Sequence, residues 1–428
     1  MKTLNDMTTN HGLPSTVMRR STAVLALSLF ALNSAAWPES NRLPPMGWEP
    51  WNIDHCGDVA NSNDFRHRNY DEAYYRKLAD FLVSSGLRDL GYTYITFECH
   101  AHYRDSYGVF QANPSKFPNG LRAVNDYLHS RGLKSRAYTD AGKGKCGGCY
   151  EGDGSFGHYA QDARRWAELG FDGVKIDWCG GQAERLDART QFMEFHREMA
   201  ANNPAFCIEI CTWGEGNPWE WGRQAGTFWR TAGDIDGEII SGKWTDARGG
   251  SWRTLTRNID ANRHPDRKLV GPGLGWNYPD MLEVGVEGGL NETEERTQFS
   301  LWCIMASPLF LGNDVLNMPH YAREIVMNRE MIAVDQDPLG VQGDVVRELG
   351  GGRLQVWAKT LADGSTAVAL FNRTEAPARI AASWAELGIR GRAKVRDLWE
   401  HADKGVYLGS YSAEVAPHGA AVIRISTL

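Results

Sequence analysis

Two segments of the sequence place a carboxylate beside a cation at the end of a short apolar run. In the first segment, Lys175-Ile176-Asp177 closes a run that begins at Val174. Residues two apart on a strand point to the same side, so Lys175 would lie next to the Asp177 carboxylate and lower its pKa. A carboxylate that stays ionised can attack the anomeric carbon of a sugar as a nucleophile. A structural ion pair accounts for the same pattern equally well.

The second segment, Trp229-Arg230-Thr231-Ala232-Gly233-Asp234, again carries an arginine and an aspartate where a strand would end. The matching hypothesis is that this carboxyl group acts as a general acid. A general acid must stay protonated near neutral pH, so burial or a nearby carboxylate has to raise its pKa. Asp236 and Glu238 follow closely in the sequence and compete for that role. Residue type and spacing leave the choice among the three carboxylates open.

The rhythm of residues 46–337 indicates the scaffold that would position these groups. Short apolar runs alternate with amphipathic helical patterns, and a glycine such as Gly170 separates each helical pattern from the run that follows. The repetition predicts a parallel sheet, and its length favours a (β/α)8 TIM barrel. In such barrels the chemistry lies at the carboxyl ends of the strands. The polar residues at the predicted strand ends are Glu98, Asp140, Asp177, Thr212 and Asp234.

The pattern changes after about residue 340. Residues 354–358, 367–371 and 421–425 alternate with period two, and Gly350-Gly351-Gly352 and Asp363-Gly364 supply turns. We therefore predict an α/β chain with a catalytic barrel over residues 37–339 and a C-terminal antiparallel β-sandwich domain over residues 340–428. A stabilising role for the second domain is favoured over a separate binding module.

The N-terminus has the features of a secretory signal peptide over residues 1–36. Arg19 and Arg20 precede an apolar run over residues 23–32, and Ser34-Ala35-Ala36 supplies small residues for cleavage. Residues 1–17 are polar, which makes Met18 an alternative start of translation. We predict a secreted or periplasmic protein without stable membrane insertion, since the apolar run is too short to span a bilayer. A retained membrane anchor is the alternative.

Composition narrows the classes of partner. The net charge is -7, with no basic block to neutralise phosphates, so nucleic acid is not expected as a partner. The chain has 16 Trp residues, whose indole faces suit sugar rings, although most of them would lie in the core. Its eight cysteines indicate disulfides in an exported chain. Cys146 and Cys149 form a CxxC without a second pair at zinc-like spacing, so we predict no metal and no cofactor.

Collinear motifs over nearly the whole mature chain resemble glycoside hydrolase family 27, which contains α-galactosidases and α-N-acetylgalactosaminidases. The matching segments occur in the order in which the family has them. They are Pro45-Met46-Gly47-Trp48 with Trp51, Arg104-Asp105-Ser106-Tyr107-Gly108, Pro114 to Leu121, Tyr138-Thr139-Asp140-Ala141-Gly142, Lys175-Ile176-Asp177 with Cys179, Trp229-Arg230 with Asp234, Trp276 to Met281, and Val334 to Gly340.

The resemblance implies a retaining exo-glycosidase with Asp177 as nucleophile and Asp234, rather than Asp236 or Glu238, as acid/base. It implies disulfides Cys56–Cys99 and Cys146–Cys179, with Cys211 as a free thiol at the sugar pocket. An oligosaccharide or polysaccharide glycoside would be the substrate, and the oligomeric state is left open. The substrate-binding residues that the resemblance implies are Trp51, Glu98, Tyr138, Asp140, Lys175, Cys211, Trp213, Arg230 and Asp280.

The departures from the family pattern fall in the predicted sugar pocket. The family's usual Asp-Asp-Cys, whose carboxylates accept hydrogen bonds from O4 and O6 of galactose, is Phe97-Glu98-Cys99 here. Thr212 replaces a glutamate and Tyr278 an aspartate. The longer Glu98 would crowd C6, which favours a sugar that lacks C6. We expect an α-galactosidase, with a β-L-arabinopyranosidase or an isomalto-dextranase-like enzyme as alternatives, and an inactive sugar-binding protein as the alternative from another class.

Overall fold

The structure is a computed structural model, and it describes residues 42–55, 69–98, 101–144, 146, 154–240, 243–246, 249–263 and 269–428. The predicted signal peptide, Cys56, Cys99 and Cys149 lie outside these ranges. Among the described residues, no helix combines the length and apolar character that crossing a membrane requires.

Eight parallel strands form the sheet of the first part of the chain, as the sequence predicts. Their order in the sheet is β11-β8-β7-β6-β5-β2-β1-β12. A parallel bridge between Leu282 and Leu311 joins the two ends and closes the barrel. The strands are β1 (Met46–Trp48), β2 (Tyr94–Thr96), β5 (Lys134–Asp140), β6 (Gly173–Asp177), β7 (Cys207–Cys211), β8 (Phe228–Arg230), β11 (Trp276–Tyr278) and β12 (Leu309–Leu311).

Helices follow the strands and cover the barrel with their apolar faces. They are α1 (Trp51–Asp54), α2 (Glu72–Ser84), α3 (Gly120–Ser130), α4 (Tyr159–Leu169), α5 (Cys179–Ala183), α6 (Ala188–Asn202), α7 (Pro218–Trp221), α8 (Trp252–Arg263), α9 (Glu292–Ile304), α10 (His320–Val326) and α11 (Arg329–Asp335). Two short hairpins lie outside the barrel sheet, β3 (His102–Arg104) with β4 (Phe110–Ala112) and β9 (Gly237–Ile240) with β10 (Lys243–Asp246).

Local sequence signals set the ends of these helices. The Asp71 side chain accepts a hydrogen bond from the Tyr74 amide at the start of α2, and Asn291 and Glu294 form a capping box at the start of α9. Gly170 follows α4 with φ 78°, the left-handed conformation that stops a helix and turns the chain toward the next strand. The glycine rhythm of the sequence therefore corresponds to real helix ends.

The C-terminal part is a β-sandwich of antiparallel strands. One sheet has the order β13-β14-β15-β20-β17-β18, and β16 pairs with β19 in the other. The strands are β13 (Asp344–Leu349), β14 (Leu354–Thr360), β15 (Thr366–Asn372), β16 (Ala378–Ser383), β17 (Arg392–Asp397), β18 (Ala402–Leu408), β19 (Ser410–Val415) and β20 (Ala420–Thr427). The predicted boundary at residue 340 stays a prediction. It falls between the end of α11 and the start of β13.

Candidate active site

A cavity of about 680 Å³ opens where the barrel strands end, within the size range of small-molecule sites. Asp177, Cys211 and Arg230 are the last residues of three adjacent strands and all line it. The predicted site residues on its wall are Trp51, Lys175, Asp177, Cys211, Trp213, Arg230, Asp234 and Asp280. Chain folding thus brings together residues up to 229 positions apart (from Trp51 to Asp280).

Asp177 is almost fully buried, with 6% of its surface exposed. The Tyr138 hydroxyl donates a hydrogen bond of 2.5 Å to its Oδ2 atom. Burial raises the pKa of Asp177 above its ordinary value, while the charge of Lys175 and hydrogen bonds from Cys211 and Tyr138 act to lower it. Three neighbours therefore favour the ionised carboxylate that a nucleophile requires.

Asp234 is the more accessible of the two carboxylates, with 20% of its side chain exposed. Arg230 bridges it to Asp280, since Nη2 lies 2.8 Å from Asp234 Oδ1 and Nη1 lies 2.8 Å from Asp280 Oδ1. Burial raises the pKa of Asp280 to about 7 against the opposing effect of Arg230. The cavity wall thus carries one buried and one more open carboxylate, with cations beside both.

Lys175 belongs to a chain of five side chains of alternating charge inside the barrel. Its ammonium lies 2.7 Å from Glu98 Oε1 and 3.5 Å from Glu49 Oε2. Glu49 Oε1 in turn lies 2.7 Å from Arg136, which also pairs with Glu209. All five side chains are at most 6% exposed. Lys175 is therefore held from below by two carboxylates while it faces the cavity.

Comparisons with known proteins agree with this geometry. Residues 43–337 match the family model described as alpha galactosidase A, and residues 351–425 match the alpha galactosidase C-terminal beta sandwich domain. An α-galactosidase of Oryza sativa subsp. japonica is 39% identical over 381 residues, covering 88% of this chain and 83% of the relative. The chain belongs to glycoside hydrolase family 27. It is a glycosyl hydrolase, as the sequence predicts.

Two further comparisons support the membership. The α-galactosidase of Cyamopsis tetragonoloba is 38% identical over 379 residues, which cover 88% of this chain and 84% of the relative. The crystal structure of α-galactosidase I from Mortierella vinacea is similar with a TM-score of 0.78 at 28% identity, and the match covers 91% of this chain and all of the other. The barrel with its C-terminal sandwich is therefore the family's architecture.

Three of the predicted binding residues of this family 27 enzyme do not line the cavity. Tyr138 directs its hydroxyl at Asp177, and Glu98 pairs with Lys175. Asp140 is fully buried, and its carboxylate accepts hydrogen bonds from the backbone amides of Gly142 at 2.6 Å and Gly180 at 3.0 Å. Each of these side chains holds a neighbour of the site, and a role in sugar binding stays a prediction for all three.

The structure confirms the disulfide between Cys146 and Cys179. Both cysteines line the cavity of the glycoside hydrolase, and Cys179 lies two residues after Asp177. Asp140, Cys146 and Cys179 have ligand atoms within 4.8 Å of one another, but the bridged sulfurs offer no thiolate to a metal. The predicted Cys56–Cys99 bridge lies outside the described residues. Unpaired cysteines in the described part are Cys207, Cys211 and Cys303, all buried.

The cavity also contains side chains that the sequence reasoning did not single out. His55 contacts Asp236 on one wall, and Glu215 accepts hydrogen bonds from Trp178 and Gln182 on another. Arg257 donates to the backbone carbonyl of Asp234 at 2.7 Å. Only Asp236 carried a signal in the sequence, as a rival for the acid. His55, Gln182, Glu215 and Arg257 lie on helices and loops whose residue types carry no pattern of their own.

Proposed function

We propose that the enzyme is a retaining α-galactosidase, in which Asp177 attacks the anomeric carbon and Asp234 protonates the leaving oxygen. Water then hydrolyses the glycosyl-enzyme with Asp234 as base, which gives net retention. Lys175, Arg230, Asp280 and Trp51 would hold the terminal galactose. Relatives at 38–39% identity that are named α-galactosidases support the choice of sugar.

The observation that carries the mechanism is that the two proposed catalytic carboxylates lining the cavity differ in exposure, Asp177 being buried and Asp234 more open. Asp177 receives a 2.5 Å hydrogen bond from Tyr138 and the field of Lys175, both of which favour the anion. Asp234 is more open to solvent, so after it gives its proton to the leaving oxygen a water molecule can reach the carboxylate and return a proton to it as that water attacks the glycosyl-enzyme.

Substitution of each carboxylate tests these roles. We expect Asp177→Asn to lower kcat/KM for every glycoside by at least about a thousandfold, because no nucleophile remains. Asp234→Asn should impair methyl glycosides far more than p-nitrophenyl glycosides, whose leaving group needs no proton. NMR of the first-formed sugar anomer reports retention. Asp260→Asn, an exposed carboxylate paired with Arg373, is the matched control and should retain wild-type rates.

The hypothesis of a sugar-binding protein predicts a different outcome. If wild type and Asp177→Asn bind a galactoside equally and neither turns it over, the hydrolase mechanism is wrong. First formation of the opposite anomer would contradict retention even if turnover depends on both aspartates.

A second candidate function, β-L-arabinopyranoside hydrolysis, is favoured by Phe97. This ring is 1% exposed and stacks on Tyr75 with centroids 4.1 Å apart, so it supplies no acceptor for a sugar hydroxyl. A panel of p-nitrophenyl α-D-galactoside, β-L-arabinopyranoside, α-D-glucoside and α-N-acetylgalactosaminide separates the candidates. Activity on the glucoside alone would contradict both.

We also propose that the mature enzyme is exported by the signal peptide over residues 1–36 and consists of a catalytic barrel (37–339) and a sandwich domain (340–428). N-terminal sequencing of protein secreted by a bacterial host tests the cleavage site. A mature chain that begins near Trp37 is the expected result, and a chain retained in the membrane fraction would contradict it.

A further inference from the structure

A buried aspartate–histidine pair lies on the cavity wall beside Asp234 and has no part in the mechanism above. Asp236 follows Asp234 by two residues and is 1% exposed. Its Oδ2 atom lies 2.7 Å from His55 Nε2, and both residues line the cavity. The indole of Trp51 stacks on the His55 ring, with centroids 5.1 Å apart and planes 30° apart. The pair is therefore fixed by the hydrogen bond between its two members and by the indole face against His55.

The second oxygen of this carboxylate marks the pair as a binding site. Asp236 Oδ1 is buried and has no hydrogen-bond partner among the described residues. A buried acceptor without a donor is costly, and a ligand that donates a hydrogen bond there removes the cost. Burial and the nearby Asp234 raise the pKa of Asp236, while His55 opposes the shift. Because Asp236 lines the cavity, a ligand bound there can supply the donor that this oxygen lacks.

The chemistry around the pair selects a neutral donor. The cavity is lined by five carboxylates against the three cations Lys175, Arg230 and Arg257, and this excess of acidic groups disfavours an anionic ligand. The carboxylates are Asp177, Glu215, Asp234, Asp236 and Asp280. A hydroxyl group satisfies a carboxylate oxygen without adding charge. The general acid must lie within hydrogen-bond distance of the oxygen that leaves, so the leaving group passes along the wall that carries Asp234 and Asp236.

We propose that Asp236 and His55 form the binding site for a hydroxyl group of the leaving sugar. The assignment rests on the proposed role of Asp234 as acid. It implies that the enzyme is built for a glycoside whose leaving group is itself a sugar, rather than for one with an apolar leaving group. The same pair would receive a sugar acceptor when the glycosyl-enzyme transfers to sugar instead of water.

Three substrates with a terminal galactose distinguish binding of the leaving sugar by Asp236 and His55 from an indirect effect of the pair on the proposed acid Asp234. They are an α-1,6-linked galactosyl-glucose disaccharide, methyl α-galactoside and p-nitrophenyl α-galactoside. Asp236→Asn should lower kcat/KM for the disaccharide about 10- to 100-fold, the worth of one hydrogen bond to a charged group. The values of kcat/KM for the methyl and nitrophenyl glycosides should change by less than about threefold, since the methyl and nitrophenyl groups have no free hydroxyl to bind the pair.

A transfer experiment gives an independent readout. With p-nitrophenyl galactoside as donor and added glucose as acceptor, the ratio of transfer to hydrolysis should fall about tenfold in Asp236→Asn and in His55→Ala. Glu295→Gln is the matched control, because Glu295 is a carboxylate that is 1% exposed and does not line the cavity. His55→Ala also tests the pair if Asp236→Asn fails to fold.

The outcomes that would overturn the inference are distinct. If the methyl glycoside falls together with the disaccharide while the nitrophenyl glycoside does not, the pair acts through the acid Asp234. If all three fall equally, the pair is only structural. If wild type cleaves none of the three, the proposed function fails, and this failure is visible before any variant is made.

Discussion

Tyr138→Phe separates two roles for one tyrosine and reports directly on Asp177, the proposed nucleophile. The resemblance to the family implies a sugar contact, whereas the structure directs the Tyr138 hydroxyl at Asp177 Oδ2, at 2.5 Å. A hydrogen bond to the ionised form lowers a carboxylate pKa, so its loss raises that pKa. Such a bond is worth roughly 1.5–3 kcal/mol, or about 1–2 pKa units. We expect the lower end, because Lys175 and Cys211 still oppose the shift.

The assay is the pH dependence of kcat/KM with p-nitrophenyl galactoside. The proposed mechanism requires ionised Asp177, so activity should be lost as the pH falls through its pKa, and the acid limb of the variant should move up by about one unit. At a pH one unit below the wild-type limb, kcat/KM should be lower by about tenfold. On the plateau it should change by less than about threefold.

The matched control is Tyr159→Phe, which removes another buried tyrosine hydroxyl. Its oxygen lies 2.5 Å from the carbonyl oxygen of Ala141 and does not contact Asp177. This variant should leave the acid limb in place. If Tyr138→Phe instead raises KM at every pH and its limb does not move, the tyrosine binds sugar and the reasoning about Asp177 is wrong.

Three further predictions concern the disulfide, the specificity of the pocket and the pH dependence of stability. Replacement of Cys146 and Cys179 by Ser should lower the free energy of unfolding by about 3–4 kcal/mol, from a separation of 33 residues; equal urea midpoints for variant and wild type would contradict this. Glu98→Asp shortens the side chain that holds Lys175 at 2.7 Å, so that the ammonium can turn to the sugar. We expect the ratio of kcat/KM for the galactoside to kcat/KM for the arabinopyranoside to rise about tenfold. An unchanged ratio on the glycoside panel would contradict the role of Glu98. Burial raises the pKa of Glu295 to about 7, above its unfolded value, so the contribution of this carboxyl to stability is fully present below about pH 4.5 and is lost as the pH rises to 7. Relative to Glu295→Gln, the wild type should lose about 3 kcal/mol over this range; parallel changes in the melting temperatures of the two proteins would show that the carboxyl does not titrate in this way.

The fold could be predicted from the sequence because each signal is local. Gly170 with φ 78° stops α4 as its position predicts, and the apolar run at Val174 becomes the buried strand β6. The alternation over residues 354–358 and 367–371 becomes two neighbouring antiparallel strands, β14 and β15. Such patterns depend on a few adjacent residues, so one sequence is enough to detect them.

The roles of the side chains around the site do not follow from the sequence in the same way. The end of a strand fixes where a residue's backbone lies, but it does not fix the hydrogen-bond partner of its side chain. Asp140 follows an apolar stretch just as Asp177 does, yet its carboxylate caps the amides of Gly142, Gly180 and Gly181. His55 and Asp236 meet across 181 residues, and their pairing has no trace in local spacing. Which carboxylates face the cavity depends on contacts between strands that sequence reasoning does not supply.

Glu98 illustrates how such contacts change an interpretation. From the sequence, its extra methylene should push a carboxylate toward the sugar. In the structure the side chain is 2% exposed and Oε1 is paired with Lys175, while burial and the nearby carboxylate of Glu49 raise its pKa to about 7 against the effect of Lys175. Lys175 accepts this partner because Arg136 already neutralises part of the charge of Glu49.

The alternating charges therefore explain why a longer acid is tolerated at this position. With Glu209 at one end and Glu98 at the other, three carboxylates share two cations inside the barrel. A buried excess of one negative charge is costly, and protonation of one carboxyl removes it. Charged or neutral, Glu98 accepts a hydrogen bond from the Lys175 ammonium, and because its pKa is raised to about 7 the charge beside Lys175 depends on pH. We therefore expect any effect of Glu98 on sugar choice to act through its partner Lys175, which does line the cavity.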